Sequence, residues 1–443
     1  MNTIESVVSA ISSFVWGPPM LILLVGTGVY LTILLKGMQF WALPYALKLI
    51  FRTDVEGEGE ISHFAALMTA LAATVGIGNI VGVATAITLG GPGAVFWMWM
   101  TGLVGMATKY SEAVLAVKYR QEGQFGMKGG PMYYLSYGAN MPKLGMAFAI
   151  FTACAAFGIG NMTQSNAVSE ILSSQLSIPT WVTGLTLLVL TGIVVLGGIK
   201  SIARFTSILV PFMIVAYVCV ALAILIINYD KVGSAFSLIF YHAFNPIAAG
   251  GGFVGATIAA AMRYGVARGV FSNESGLGSS PIAAAAAKTD DPVKQALVSM
   301  TQTFIDTLVV CTMTALIILV SPFWQQGVSA GVLTMQSFAL YLGDLGTYVV
   351  LASTVLFAFS TILGWSYYGE KAFEFIFGEK FVRLYRVAFV CMVAVGAMLK
   401  LEFVWNFSDM MNGMMAIPNL IALLLLSKII KSETDKHFSM LKN

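Results

Sequence analysis

Apolar runs of about 20 residues recur along almost the whole sequence, and they limit the possible folds more than any other feature. A helix needs about 20 predominantly apolar residues to cross a hydrocarbon core of about 30 Å. Only 10% of the 443 residues are charged, whereas a soluble globular protein carries about 25%. The sequence therefore predicts an all-α polytopic membrane protein.

Charged residues, glycines and prolines mark the ends of these runs and so give the positions of the spans. Eleven transmembrane helices are predicted, at 14–35, 63–89, 92–117, 144–172, 180–199, 203–228, 252–287, 292–320, 347–368, 382–400 and 404–430. Three amphipathic pieces are too short to span and are expected to lie along the membrane interface, at 39–52, 131–140 and 235–245.

Lysine and arginine are distributed unequally between alternate loops. Cytoplasmic loops retain these residues, and with the N-terminus outside, 19 of the 24 fall in inner loops or in the C-terminal tail. We therefore expect a multi-pass protein of the cell membrane, with its N-terminus outside and its C-terminus in the cytoplasm. The net charge of +3 is small and dispersed, which does not indicate a nucleic-acid partner.

The ten spans after the first divide into two groups of five. The leading helix of each group is interrupted by glycine and polar residues, in ATVGIGNIVG (73–82) and in GVARGVFSNESGLG (265–278). Five helices reverse the side of entry, so the second group must be inverted relative to the first. Interrupted helices at corresponding positions of two inverted halves indicate the binding site of a secondary transporter.

The predicted organisation follows from this division. It comprises an N-terminal helix with an amphipathic cytoplasmic segment (1–62), a first five-helix repeat (63–228), an extracellular connection with an amphipathic segment (229–251), a second, inverted repeat (252–430) and a cytoplasmic tail (431–443).

The chemistry of an interrupted helix suits a zwitterion and a cation. The freed N–H groups and the positive end of a half-helix face a carboxylate, and freed carbonyls can coordinate a cation. Gly76 and Gly78 let a ligand approach the main chain closely, and Asn79 adds a neutral oxygen. The alternative is that Gly78 and Gly82 only allow close helix packing. An amide as deep in an apolar span as Asn79 favours the functional interpretation.

Other polar side chains within spans have more than one interpretation. Gln164 either contacts substrate or bonds a neighbouring helix, and Asp306 either serves a cation or proton or pairs with an arginine. Arg263 and Arg268 are expected to pair with acids or carbonyls, or to extend to the interface, rather than to bind substrate. Glu274 is expected to be a gate or a pairing partner rather than a direct ligand.

A hydroxyl pair in the ninth span, FAFSTILGW, offers a further cation site. Ser360 and Thr361 either point with a backbone carbonyl toward one cation or bond back to the preceding turn. Trp365, one turn later, is either an apolar packing residue or a pocket wall that limits substrate size.

Two longer motifs are similar to those of a known family. GGPGAVFWMWMTGLVG at 90–105 resembles the signature of the alanine or glycine:cation symporter family, and NESGLGSSPIAAAAAKTDDPVKQ at 273–295 also resembles that family. The resemblance covers essentially the whole chain. It implies the architecture of the leucine transporter, in which two inverted five-helix repeats each begin with a broken helix.

The resemblance also implies a sodium site at the first broken helix. Its matching positions are the carbonyls of Ala72 and Val75 and the hydroxyls of Ser360 and Thr361, with Phe357 as a further ligand.

For a possible second sodium, the matching positions are the Thr74 carbonyl, the Asn79 side chain and Ser272. Asp306 stands about where an Asn supplies a ligand in the relatives, and this departure means that an acid there either binds the cation more strongly or titrates.

The same likeness implies how an amino acid would bind. Its carboxylate would meet N–H groups near Ile77 and Gly78, its ammonium group would meet carbonyls near Phe271, and Phe271 and Trp365 would close over the side chain. Gln164 is the candidate replacement for the tyrosine that contacts the carboxylate in relatives. The implied substrate-binding residues are Thr74, Gly76, Ile77, Gly78, Asn79, Gln164, Phe271, Ser272, Asn273 and Trp365.

The expected function is sodium-driven symport of a small neutral amino acid, alanine or glycine, by alternating access. Its partners are then the amino acid, Na⁺ and the lipid bilayer, and the oligomeric state is open. A proton-coupled transporter that uses Asp306 is the alternative, and a channel fits asymmetric broken helices less well. An enzyme is not expected, because the histidines lack HExxH spacing and neither a Walker motif nor a GxSxG with a plausible base is present.

Overall fold

The computed structural model describes residues 3–52, 57–248, 255–399 and 402–441, and this part of the chain is helical, with isolated β-bridges but no strand. The predicted start of the second repeat, at position 252, lies outside the described residues. The helices are α1 Thr3–Val15, α2 Pro18–Leu34, α3 Met38–Trp41, α4 Leu43–Ile50, α5 His63–Thr74, α6 Val81–Gly90, α7 Gly93–Lys118, α8 Pro131–Tyr133, α9 Pro142–Phe157, α10 Thr163–Leu176, α11 Thr180–Val195, α12 Gly198–Ile227, α13 Tyr229–His242, α14 Ile258–Asn273, α15 Pro281–Ala284, α16 Pro292–Thr303, α17 Thr312–Val320, α18 Ala330–Leu342, α19 Asp344–Phe377, α20 Val382–Met398, α21 Glu402–Leu425 and α22 Ser427–Met440.

Seven helical stretches of the described chain are long and apolar enough to cross a membrane, which confirms a polytopic membrane protein. They are Ser6–Leu34, Pro142–Leu176, Gly198–Ile227, Pro292–Val320, Asp344–Phe377, Glu379–Met398 and Asn406–Leu425. The pair α5 and Ile77–Gly90 makes an eighth if it counts as one span, and it is bent by 61°. The count of eleven stays a prediction, because α11 and α18 are short and α7 carries polar residues.

Several boundaries differ from those predicted, for local reasons. The first apolar run divides into α1 and α2 at Gly17, because Pro18 and Pro19 have no N–H to continue the helix. The predicted helix 347–368 extends to 344–377, since Lys371 forms a buried ion pair of 2.9 Å with Glu374 and does not end the helix. The helices α18 and α22 were not predicted, and α22 is too polar for a search for apolar runs to find.

The interrupted helices lie at the centre of the bundle. The helix α7 packs against α14 on one side and α16 on the other, and α19 packs against α5 and α9. A Cβ at Gly364 of α19 would lie 2.7 Å from the backbone nitrogen of Ala73, so a glycine is needed for α19 to approach the end of α5 so closely. This approach brings side chains of α19 next to the first break.

The amphipathic helix α22 covers one end of the bundle, where α7 and α16 meet. The hydroxyl of Tyr110 on α7 lies 2.7 Å from that of Thr434, and Lys118 is paired with Glu433. His437 Nδ1 lies 2.6 Å from a carboxylate oxygen of Asp291, which also caps α16 by accepting a bond from Val293 N–H. Burial opposes ionisation of Asp291, but the hydrogen bond and charge of His437 and the bond from Val293 together lower the pKa of this carboxyl.

Asp291→Asn should loosen α22 at neutral pH, because asparagine can still cap α16 but offers Nδ1 of His437 a neutral acceptor in place of a carboxylate. Amide hydrogen exchange in α22 should become up to about fivefold faster, as expected for a partly exposed charged interaction worth at most about 1 kcal/mol. A carboxylate with a lowered pKa stabilises the fold above its unfolded pKa, near 3.8, and this contribution is lost as the pH falls through the folded pKa. The difference from the parent should therefore be complete at pH 7 and vanish well below pH 3.8. Asp435→Asn, on the exposed face of α22, is the matched control, and an equal effect there would contradict the prediction.

Candidate functional site

The first break begins where α5 ends at Thr74, and a short 3₁₀ turn, Ile77–Asn79, follows it. The side chain of Asn79 turns back and accepts a hydrogen bond of 2.9 Å from Gly76 N–H. In the described part of the chain, the N–H groups of Ile77 and Gly78 have no hydrogen-bond partner. Two unpaired donors therefore lie at the N-terminal side of α6, where the helix dipole favours an anion.

The second break lies between α14 and α15 and needs residues with positive φ. Glu274 ends α14 at φ 57°, and Gly276 and Gly278 follow at φ 89° and 84°, a backbone region in which glycine has no Cβ penalty. The carboxylate of Glu112 on α7 accepts hydrogen bonds of 3.1 Å from the N–H groups of both glycines. Its neighbour Lys109 donates to the carbonyl of Glu274 at 3.0 Å. A buried acid and a buried lysine of one helix thus satisfy the unwound backbone.

Asp306 connects the two breaks. One of its carboxylate oxygens accepts a hydrogen bond of 2.7 Å from Asn79 Nδ2 in the first break. The other accepts a hydrogen bond of 2.9 Å from Ser272 Oγ at the end of α14. Thr307 Oγ1 adds a bond of 2.8 Å. All four side chains are buried. The structure thus brings three of the four predicted second-sodium residues together.

The fourth residue of that set, Thr74, was predicted to contribute its carbonyl, and its hydroxyl serves other partners. Its hydroxyl donates to Ala70 O at 3.1 Å and accepts 3.2 Å from Gln302 Nε2.

The hydroxyl pair of α19 lies beside the first break. Ser360 Oγ and Thr361 Oγ1 each donate 2.9 Å to the carbonyl of Phe357, so both bond back to the preceding turn. A Cβ at Gly76 would lie 2.5 Å from Thr361 Oγ1. Ala72 and Val75 of the same predicted sodium site are fully buried at the end of α5.

A small space, called here the central cavity, lies between the two breaks, α19 and α21. Its volume is about 20 Å³, close to the room that one water needs. A ligand as large as alanine therefore requires the walls to move apart. The lining residues are Ala73, Thr74, Gly76, Ile77, Gly78, Ile159, Gln164, Phe271, Glu274, Thr361, Trp365 and Asn412.

Most of the predicted substrate residues are in this lining, and three are not. Asn79 and Ser272 do not line the cavity and instead donate hydrogen bonds to the carboxylate of Asp306. Asn273 donates to Thr307 Oγ1 at 3.0 Å and accepts from Ser275 N–H at 2.9 Å, so its amide serves the second break.

Trp365 and Gln164 both contact an irregular helical segment, Gly158–Met162. A Cβ at Gly160 would overlap the Trp365 side chain, so this glycine makes room for the indole. Gln164 Nε2 donates 3.0 Å to Ile159 O, which leaves its buried oxygen without a partner in the described chain.

Two further polar residues line the cavity. Glu274, which the sequence indicated as a gate or a pairing partner, is part of the cavity wall, and that role stays a prediction. Asn412 was not predicted; it is a lone amide in the apolar run MMNGMM, which is the same signal that drew attention to Asn79. Ile159 looks like any other apolar residue and carries no such signal.

The two arginines of α14 lie outside the cavity. Arg268 stacks over the ring of Phe271 at 5.6 Å and lines a space that Asp409 also lines. The described residues show no ion pair of Arg268 within 4.0 Å, so the expected pairing to an acid stays a prediction. Arg263 stacks over Tyr264 at 5.6 Å. Both line a separate space of about 160 Å³ on the far side of Phe271.

Comparison with known proteins gives consistent results. The model described as the sodium:alanine symporter family matches residues 1–443. The chain is 54% identical to "Sodium/alanine symporter AgcS" of Methanococcus maripaludis, over 99% of this chain and 98% of that protein. It is 36% identical to "Probable sodium/glutamine symporter GlnT" of Bacillus subtilis, over 96% and 89%.

Among solved structures, the fold is similar to that of MhsT in complex with L-phenylalanine. The TM-score is 0.60 at 14% identity, and the match covers 83% of this chain and 89% of MhsT. This likeness concerns the fold alone.

Gly160→Ala should destabilise the protein, because the added methyl overlaps Trp365 and either side chain or backbone must shift. Overpacking of this kind costs about 1–3 kcal/mol, so the unfolding midpoint in detergent should fall by several degrees and the tryptophan fluorescence should change. Gly82→Ala on α6 is the matched control, since a Cβ there meets nothing within 4 Å. Equal midpoints for the two variants would show that Gly160 and Trp365 are not tightly packed.

Proposed function

Because this chain belongs to the sodium:alanine symporter family, we propose that it carries a small neutral amino acid, alanine or glycine, into the cell together with sodium by alternating access. Its relatives are transporters, and it is a multi-pass membrane protein rather than an enzyme. The observation that most supports this function is the joining of two broken helices by Asp306 beside a small buried cavity.

The substrate carboxylate binds the N–H groups of Ile77 and Gly78. In support, these donors have no partner in the described chain, and both residues line the cavity. The positive end of α6 adds to the attraction. Phe271 and Trp365 enclose the side chain, which favours a hydrogen or a methyl group over anything larger.

One sodium ion binds between the end of α5 and α19. Its ligands are the carbonyls of Ala72, Val75 and Phe357 and the hydroxyls of Ser360 and Thr361, and carbonyl and hydroxyl oxygens suit a hard cation. The support is the position of Thr361 against Gly76. The two hydroxyls converge on the carbonyl of Phe357. A cation bound there would be coordinated by these three oxygens of α19 and by the carbonyl oxygens of the break.

A second cation site is formed by Asp306 with Ser272 and the Thr74 carbonyl. Asn79 orients the carboxylate, since its Nδ2 donates to Asp306 while its oxygen accepts from Gly76. The alternative is proton coupling through Asp306, but the three donors that surround this carboxylate stabilise its ionised form and therefore favour a bound cation over a bound proton.

One sodium ion is sufficient to drive accumulation. Entry of one charge down about 100 mV supplies about 2.3 kcal/mol, and a tenfold gradient adds about 1.4 kcal/mol. The sum of about 3.7 kcal/mol corresponds to roughly 500-fold accumulation. Thermodynamics therefore does not require the second site.

The proposed architecture keeps eleven spans, with the N-terminus outside and two inverted repeats at 63–228 and 252–430. The distribution of lysine and arginine supports this orientation, and α22 then docks on the cytoplasmic end of the bundle.

Proteoliposomes with sodium and proton gradients imposed separately test the function. Inward sodium should drive uptake of radiolabelled alanine or glycine above equilibrium, whereas a proton gradient alone should not. Glutamate and phenylalanine serve as controls and should not compete. Uptake that follows the proton gradient and ignores sodium would establish the alternative instead.

Trp365→Ala should admit larger substrates, because the indole forms one wall of the cavity. Competition by valine or leucine against labelled alanine should increase by about tenfold or more, as removal of a large pocket side chain relieves a steric exclusion. Trp99→Ala is the control, since Trp99 lies in α7 outside the cavity and donates to Thr312. An unchanged selectivity in Trp365→Ala would remove this residue from the substrate pocket.

A further inference from the structure

Glu274 is a buried carboxylate in the wall of the central cavity. Its side chain accepts a hydrogen bond of 2.5 Å from Ser279 Oγ, and the indole of Trp365 lines the same cavity. Its backbone is held by Lys109, which bonds its carbonyl. The carboxylate is therefore positioned by its surroundings, and at this depth its ionised form needs an opposite charge, without which the group takes up a proton.

No basic side chain of the described chain pairs with the Glu274 carboxylate. Lys109 lies closer to another acid, with its Nζ 3.8 Å from Glu112 Oε2, and it also donates 2.6 Å to Ser280 Oγ. The arginines of α14 do not pair with Glu274 in the described chain either, since Arg268 stacks on Phe271 and Arg263 stacks on Tyr264.

The charge balance of this region is negative. Lys109 is a fully buried cation whose charged neighbours are three buried acids, Glu112, Glu274 and Asp306. When all are ionised, two negative charges remain, and a low-dielectric interior makes uncompensated charge costly. A cation at Asp306 compensates one of these two negative charges, and a cation beside Glu274 would compensate the other.

Two further acceptors line the same cavity and lack donors. Gln164 Oε1 and Asn412 Oδ1 are buried and have no hydrogen-bond partner in the described chain. Unsatisfied buried acceptors of this kind are rare and indicate a missing donor. An ammonium group has three N–H donors and no acceptor, which matches one carboxylate and two amide oxygens.

We propose that Glu274 binds the ammonium group of the substrate, with the oxygens of Gln164 and Asn412 as its other two acceptors. This inference rests on the proposed function, and it replaces backbone carbonyls near Phe271 with side chains as the main determinants of amine recognition. The substrate then lies between the free N–H groups of Ile77 and Gly78 at one end and Glu274 at the other. A ligand without the ammonium group would leave a buried negative charge and two unpaired oxygens.

Recognition of this kind gives a sharp chemical requirement. Propionate and lactate have the carboxylate and the methyl group of alanine but no ammonium group. They should bind the parent protein at least a hundredfold more weakly than alanine, because a site built around polar groups rejects the analogue that lacks their partner.

The test is sodium-dependent binding of labelled alanine to purified Glu274→Gln, with propionate and lactate as competitors. Glutamine can still accept the hydrogen bond from Ser279 but has no charge. Alanine affinity should fall by about tenfold to hundredfold, as for loss of a charged hydrogen bond. The ratio of alanine to propionate affinity should fall by a similar factor, and thermal stabilisation by sodium alone should remain.

Glu112→Gln is the matched control. Glu112 is equally buried beside Lys109 but bonds Gly276, Gly278 and Asn419 and does not line the cavity. It should lower the unfolding midpoint and leave the ratio of alanine to propionate affinity unchanged.

The outcomes separate the inference from the function on which it rests. If the parent binds no alanine in sodium, the proposed function fails. If the parent binds alanine but Glu274→Gln keeps its affinity and ratio, or loses both ligands equally, the inference is wrong. If Glu274→Gln does not fold, Glu274→Asp and the parent protein are compared instead. The aspartate variant should retain the preference for alanine over propionate. Propionate that binds the parent as tightly as alanine overturns the inference.

Discussion

Unwound backbone inside a membrane must find its hydrogen bonds within the protein, and the structure depends on how this requirement is met. The two breaks are stabilised by the side chains of neighbouring helices. Asp306 bonds Asn79 and Ser272, and Glu112 with Lys109 bonds the backbone from Glu274 to Gly278. Acids that would be costly in an apolar interior are tolerated because each receives several donors.

This arrangement separates two kinds of polar group at the centre of the bundle. Asn79, Asn273 and Glu112 have their hydrogen-bonding capacity largely occupied by the breaks themselves. The donors of Ile77 and Gly78 and the acceptors of Gln164 and Asn412 are left free. The first group gives the breaks their shape, and the second group is available to a ligand.

Much of the site could be predicted from sequence, because polar and glycine residues stand out in apolar spans. Residues of the breaks at 73–82 and 265–278, Thr361 of the hydroxyl pair and Trp365 all line one small cavity. The roles within that set were harder to predict, since Asn273 and Glu274 are adjacent yet only Glu274 lines the cavity. The direction of a side chain depends on local φ and ψ, and the positive φ of Glu274 is not evident from a residue that is not glycine. The helix α22 was missed because its apolar signal is weak. The end of α19 was predicted too early, because the charge of Lys371 is neutralised in a buried ion pair that the sequence does not reveal.

The close contact of Gly160 with Trp365 links two positions that lie far apart in the chain. A Cβ at 160 would overlap the Cβ of Trp365, an atom that every residue except glycine has, so a smaller side chain at 365 does not relieve the overlap. Position 160 should therefore stay glycine in relatives of this fold, whatever residue stands at 365. Pocket size can then change through the side chain at 365 alone, while the spacing of the two backbones is kept.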